Sequence, residues 1–289
     1  MLREPLKSPI NAMLLLFTCL VIALTLLYVF QRRLIYFPTR VSHAQWEDEV
    51  RTIFGPQASV LAPYDALVIE PRGGTPVAGT AVWFHGNAGL ALDRETFVPV
   101  FLERGLRLIL AEYPGYGARD GAPTETALVD DASALYATVV QRYGDKPLLL
   151  IGESLGGGVA VQVAARRTPR PPSRLILLTP FLSVTETAAR VYWFLPARYL
   201  VRDKFDSIGQ LSSYAGPIAI LVAGKDQVVG ASQGRELAHR ARARGEVICM
   251  EIAEAGHSSW PALLTEAQWS ELLGLPALAA SGKASTAGR

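Results

Sequence analysis

Apolar and polar positions fall along this chain in blocks. Every position from Met13 to Phe30 (MLLLFTCLVIALTLLYVF) is uncharged, and the run closes on Gln31 and the pair Arg32–Arg33. At ~1.5 Å rise per residue such a run nearly spans a hydrocarbon core of ~30 Å. A polar stretch follows Pro38. Short aliphatic runs then recur at Thr80–Phe84, Leu106–Ala111, Leu148–Ile151, Leu175–Leu178, Ile218–Val222 and Glu246–Ile252. They are aliphatic on both parities, as strands covered on both faces are. Helical spacing fills the gaps. Ala127, Leu128, Ala132, Leu135, Val139 and Val140 share one side of a helix over Glu125–Tyr143, and Arg235–Arg244 forms another. This alternation predicts an α/β domain with a mainly parallel sheet and helices on both faces. The region Phe181–Tyr214, with Trp193, Phe194, Pro196 and Tyr199, breaks the rhythm and reads as an insertion or lid. No internal repeat is visible.

The expected organisation is an N-terminal tail over 1–12, a transmembrane anchor over 13–30, one α/β domain over 31–278 with a small helical lid at about 181–214, and a polar tail without fixed structure over 279–289. A cleaved signal peptide is the rival reading of the first block. It calls for a shorter apolar region and a small-residue cleavage site, whereas bulky Tyr28, Phe30, Ile35, Tyr36 and Phe37 follow here. A lipoprotein reading at Cys19 is disfavoured because the apolar run continues past it. A single-pass membrane protein is therefore expected. Its orientation is open, since Arg3 and Lys7 on one flank face Arg32, Arg33 and Arg40 on the other.

Composition narrows the function classes. The 289 residues carry a net charge of +2, with no basic run interleaved with aromatics, so no nucleic-acid partner is expected. Two cysteines lie far apart without C-x-x-C spacing, which provides no disulfide or metal framework. Nothing in the sequence sets an oligomeric state.

The candidate chemistry starts at Gly152-Glu153-Ser154-Leu155-Gly156, a G-x-S-x-G between an aliphatic strand and a helix expected over Gly157–Arg166. Small neighbours permit a sharp turn that exposes the serine hydroxyl and aims the Leu155 N–H at a developing oxyanion. The plain alternative is a glycine-rich helix start packed closely on the sheet. A serine nucleophile needs a base and an orienting carboxylate. Of the four histidines, His43 lies in a polar stretch, His239 mid-helix and His85 at an early strand end, while His257 follows the last strand in EIAEAGHSSW. His257 is the expected base. Asp226, in the loop after Ile218–Val222, is the expected acid. Asp203 and Asp206 are its rivals, expected instead to cap or salt-bridge locally. In FHGNAG the Asn87 amide is the expected second oxyanion donor, with His85 supporting the loop. Tyr113 and Tyr116 of EYPGYG are expected to wall the cleft, against the alternative of a plain turn with two packed tyrosines.

With these residues in view, the chain resembles the α/β-hydrolase fold over roughly residues 30–275. More narrowly it resembles the membrane-anchored alpha/beta hydrolase domain-containing serine hydrolases, a group with acyl-protein thioesterases and lipid lipases. The resemblance rests on QRRLIYFP, FHGNAG, EYPGYG with GAPTE, IGESLGGGVA, AGKDQVV and AGHSSW. It implies Ser154 as nucleophile, Asp226 as acid, His257 as base and oxyanion amides near Asn87 and Leu155. The acid loop departs from the relatives' D-x-x-V-P by reading DQVVG. Ester or thioester hydrolysis of a small-molecule or lipid-like acyl substrate is expected, with no metal or cofactor. A serine peptidase on the same fold and a non-catalytic membrane-anchored binding protein are the alternatives.

Overall fold

A computed structural model describes residues 9–71, 73, 76–166, 168 and 170–276. The expected N-terminal tail lies mostly outside the described residues, and the expected C-terminal tail entirely so. Among the described residues ten strands form: β1 (Phe37–Pro38), β2 (Ala58–Leu61), β3 (Ala66–Ile69), β4 (Gly79–Phe84), β5 (Ala88–Gly89), β6 (Leu106–Ala111), β7 (Leu148–Glu153), β8 (Arg174–Leu178), β9 (Ile218–Ala223) and β10 (Val247–Ile252). The main sheet has eight strands in the order β10-β9-β8-β7-β4-β6-β3-β2, and β1 pairs separately with β5. Every main-sheet pairing from β10 to β6 is parallel, and β3 and β2 add an antiparallel edge.

The helices are α1 (Pro9–Phe30), α2 (Arg32–Ile35), α3 (His43–Phe54), α4 (Val98–Leu102), α5 (Glu125–Tyr143), α6 (Leu155–Ala165), α7 (Val184–Val191), α8 (Ala197–Leu200), α9 (Ser207–Leu211), α10 (Ala231–Arg242) and α11 (Glu266–Leu273). They cover both faces of the sheet. Successive strand residues point to opposite faces. Val82 and Phe84 of β4 accordingly enter the layer built with α5, α6, α9 and α10. Ala81 and Trp83 enter the layer built with α3, α4 and α11. This two-sided burial explains why the central strands are continuous aliphatic runs.

The polar stretch expected after Pro38 contains α3. Its apolar stripe is narrow: Trp46, Val50 and Phe54 are buried at helical spacing, while Glu47, Asp48 and Glu49 keep the segment polar on average. Ser42 and Gln45 close a reciprocal cap at its start. The edge strands β2 and β3 were not among the expected strands either. Ser59 interrupts the apolar run of the edge strand β2, while Ala66–Ile69 of β3 is as aliphatic as the runs read as strands and carries no local mark that sets it apart from them.

The region expected as a lid divides into an exposed part and a buried part. In α7, α8 and their linker, Trp193 is 80% exposed, Phe194 66% and Tyr199 89%. The segment after Arg202 belongs to the core. Phe205, Leu211 and Tyr214 are buried there, and the amides of Lys204 and Phe205 donate to the carboxylate of Glu125 at 2.6 and 2.9 Å. Asp206 caps α9 by accepting from Gly209 N at 3.0 Å, a local role as expected. Asp203 does not act locally. It holds Arg32 in a two-pronged pair, Nε to Oδ2 at 2.8 Å and Nη2 to Oδ1 at 3.1 Å, and accepts from the Tyr36 hydroxyl at 3.1 Å. A buried carboxylate needs such partners wherever the fold brings them, and here they come from a distant part of the chain.

No residue of α1 is buried, and the helix is long and apolar enough to cross a membrane. Asp203 therefore ties the base of this projecting helix to the lid's end. Asp203→Ala should leave Arg32 and Tyr36 without their acceptor. The expected cost is about 1–3 kcal/mol, less than for a fully buried pair because Arg32 is partly solvated. A thermal melt of the purified variant beside wild type measures it.

Candidate active site

The end of β7 is where backbone geometry becomes exceptional. Ser154 has φ 50° and ψ −114°, a region unfavourable for any residue with a Cβ. The turn holds because its neighbours lack side chains. A Cβ on Gly152 would overlap the backbone of Gly156 and Gly157, and one on Gly156 would overlap the carbonyls of Phe84 and His85. The Ser154 N–H donates to Leu178 O and the Ser154 carbonyl accepts from Gly157 N, each at 2.9 Å. The hydroxyl is thereby raised above the sheet's C-terminal edge, with the Leu155 N–H at the first position of α6.

Three residues from separate loops converge there. His257 Nε2 lies 2.9 Å from Ser154 Oγ, and His257 Nδ1 lies 2.7 Å from Asp226 Oδ2. An ionised carboxylate only accepts, so Nδ1 carries the ring proton and Nε2 is left to accept from the serine. The other carboxylate oxygen of Asp226 accepts from the amides of Val228 at 2.9 Å, Val229 at 3.0 Å and Gly230 at 3.4 Å. Burial pushes the Asp226 carboxyl upward. The hydrogen bond and charge of His257, with the Val229 and Gly230 amides, outweigh that and hold it below its ordinary value. A chain of this kind can draw the proton from a serine hydroxyl. The departure to glycine in DQVVG is structural: Gly230 has φ 90°, and the Arg190 guanidinium of α7 packs against it while donating to Val228 O at 2.5 Å.

Loop His85–Asn87 stands opposite. A Cβ built on Gly86 would lie 3.7 Å from Ser154 Cβ, so the loop passes about one side-chain atom from contact with the serine. The peptides flanking the Asn87 N–H are pinned. His85 O accepts from the Tyr113 hydroxyl and Asn87 O from the Tyr116 hydroxyl, each at 2.8 Å. The His85 ring meets Glu112 Oε1 at 3.0 Å and is buried, so it supports the loop as expected. Asn87, Ser154 and Leu155 line one cavity of about 250 Å³.

Tyr113 and Tyr116 do not wall that cleft, contrary to the sequence expectation. They are 1% and 0% exposed and stand behind the loop. A buried hydroxyl must find a partner, and the loop carbonyls supply it. Burial drives both phenols far above their ordinary pKa, so they remain donors. Of the remaining histidines and acids, His43 begins α3, exposed His239 lies on α10, and Asp203 and Asp206 sit outside the cavity lining.

Other contributors carried weaker sequence signals. Glu112 also accepts from Ala91 N and Tyr113 N at 3.0 Å each; an acid ending an aliphatic strand was its only mark. Glu153, beside the serine, takes Arg94 at 2.9 Å. The cavity is walled by α7 and α8 and by Leu27, Gln31, Leu34 and Ile35 from the N-terminal helices. An apolar segment read as an anchor has no periodic mark that distinguishes a cavity wall.

With this geometry in place, comparisons with known proteins are informative. A family described as serine aminopeptidase, S33, matches residues 75–208. An uncharacterized protein of Mycobacterium tuberculosis is 31% identical over 234 residues, covering 74% of this chain and 76% of that protein. The lysophosphatidylserine lipase ABHD12 of Danio rerio is 34% identical over 173 residues, covering 54% of this chain and 45% of the lipase, less than half its length. The esterase Pf2001 of Pyrococcus furiosus superposes with a TM-score of 0.64 at 16% identity, over 83% of this chain and 96% of that one.

The Asp226 environment makes a pH prediction. A carboxylate held below its ordinary value of 3.8 contributes stability that is complete above that value and is lost as pH falls through the folded value. Below about pH 4, wild type should therefore lose melting temperature faster than Asp226→Asn. Parallel melts from pH 7 down to pH 3 measure the difference, and superimposable acid limbs would count against it.

Proposed function

This chain belongs to the α/β-hydrolase superfamily, and from that premise we propose that it is a membrane-anchored serine hydrolase cleaving ester or thioester bonds of acyl substrates. In this reading Ser154 Oγ attacks the acyl carbonyl while its proton passes to His257 Nε2. Asp226 holds the Nδ1–H and stabilises the imidazolium as it forms. The oxyanion rests on the N–H groups of Leu155 and Asn87, each such donor being worth about 10²–10³ in rate. Collapse expels the leaving group, protonated by His257, and leaves an acyl-serine. His257 then takes a proton from water as it attacks the acyl carbon; the Ser154 Oγ–acyl bond breaks, His257 returns the proton to Oγ, and the carboxylic acid is released.

The observation that carries this reading is the unbroken Ser154–His257–Asp226 hydrogen-bond chain at an apolar cavity. Among the described residues lining that cavity none is charged, which also bears on substrate class. A neutral acyl chain fits such a wall without desolvating an ion. An aminopeptidase must hold a substrate ammonium, and an uncharged wall offers that cation no carboxylate. Acyl ester cleavage is therefore favoured over the activity in the matching family's description. The lipid ester in the zebrafish relative's name supports the same class, though that match covers less than half the relative. Apolar α1, with no buried residue, supports the membrane location.

A fluorophosphonate probe tests the reading without a guess at substrate. Wild type in membranes should label, and Ser154→Ala and His257→Ala of equal abundance should not. Ester turnover should fall by about 10⁶ in Ser154→Ala and by about 10⁴ in Asp226→Asn. Labelling that survives Ser154→Ala would place the nucleophile elsewhere. A preference for an amide over its matched ester would restore the peptidase reading.

A further inference from the structure

The base of α1 is built into the candidate site. Leu27 of α1 and Leu34 and Ile35 of α2 face the same cavity as Ser154. Gln31, between the two helices, is 7% exposed although α1 has no buried residue. Its carboxamide donates to Tyr28 O at 2.9 Å and to Leu200 O, at the end of the lid, at 3.0 Å. Its oxygen accepts from Arg202 N at 2.8 Å. Arg32 is held by Asp203 next along the chain. On the opposite side the Asn87 carboxamide donates to Ile35 O at 2.8 Å, and Phe37 N donates to Asn87 O at 2.9 Å. The helix base is thus bonded both to the lid and to the proposed oxyanion loop.

A tether needs none of this. Any linker would keep the domain near a bilayer, and burying a glutamine costs free energy unless both ends of its amide are satisfied. We propose that the base of α1, with Leu27 and Leu34, is the acyl-chain subsite. A single acyl chain passes from the bilayer along these residues to Ser154 without crossing water. This rests on the hydrolase reading above, and it makes the anchor a determinant of chain-length preference. The uncharged cavity wall suits this occupant, and the lid aromatics Trp193 and Tyr199 are exposed as residues at a membrane interface are.

The test uses the full chain in phosphatidylcholine vesicles, with a palmitoyl and an acetyl ester of the same alcohol. The readout is the palmitoyl-to-acetyl ratio of kcat/KM. Leu27→Trp and Leu34→Trp should each lower this ratio about tenfold. Leu15→Trp, on the same helix but outside the cavity lining, should leave it unchanged. Fluorophosphonate labelling reports whether each variant keeps an activated serine. If a tryptophan variant fails to label, the alanine variant at that position, which widens the wall, should still shift the ratio at least threefold. An unchanged ratio in labelling variants overturns the subsite. So does a wild type that labels but shows no preference for the longer chain. A wild type that neither labels nor cleaves either ester overturns the hydrolase reading itself.

Discussion

Everything at the candidate site depends on how closely α6 approaches the ends of β4 and β7. The start of the helix lies so near the carbonyls of Phe84 and His85 that position 156 has no room for a Cβ. That approach holds Ser154 in its unfavourable dihedrals, since the surrounding backbone over-determines the turn. It also brings the His85–Asn87 loop against the serine. The same contact therefore sets the height of the hydroxyl and its distance from the Asn87 and Leu155 amides. A looser helix start would relax the serine and separate it from both.

Three buried acids extend this arrangement outward. Asp226 is held by His257 and by the amides that follow it, so its charge is retained where His257 needs a fixed partner. Glu112 shares its oxygens among His85, Ala91 N and Tyr113 N, stiffening the loop from behind. Asp203 clamps Arg32 and Tyr36 at the base of α1. Each carboxylate accepts from three or four donors, the condition under which burying a charge is tolerable. The lid, the proposed oxyanion loop and the projecting helix thereby form one bonded body around an uncharged cavity.

Much of this was legible in the residues. The six aliphatic runs are all strands of the main sheet because parallel strands covered on both faces must be apolar on both parities. The long α5 matches its periodicity over Glu125–Tyr143. Ser154, Asp226 and His257 each follow a strand at the sheet edge where loops gather, and the fold brings the three within hydrogen-bonding distance. What stayed hidden was weakly periodic or depended on distant partners. α3 has too thin an apolar stripe, and the edge strand β2 mixes polar and apolar residues. The roles of Tyr113 and Tyr116 turn on which side of the loop they approach, which no local pattern encodes.

The sequence by itself determined the α/β architecture, the apolar N-terminal helix and the residue types able to support acyl chemistry. These follow from short-range periodicity and from backbone freedom at particular glycines, and both are local properties of the chain. Only the tertiary structure decided that Asp203 reaches back to Arg32, that the tyrosines brace the loop from behind, and that the base of α1 walls the cavity. Those outcomes join residues far apart in the chain. Their physical basis is the requirement that each buried polar group find a partner, and packing, not sequence spacing, chooses which partner is in reach.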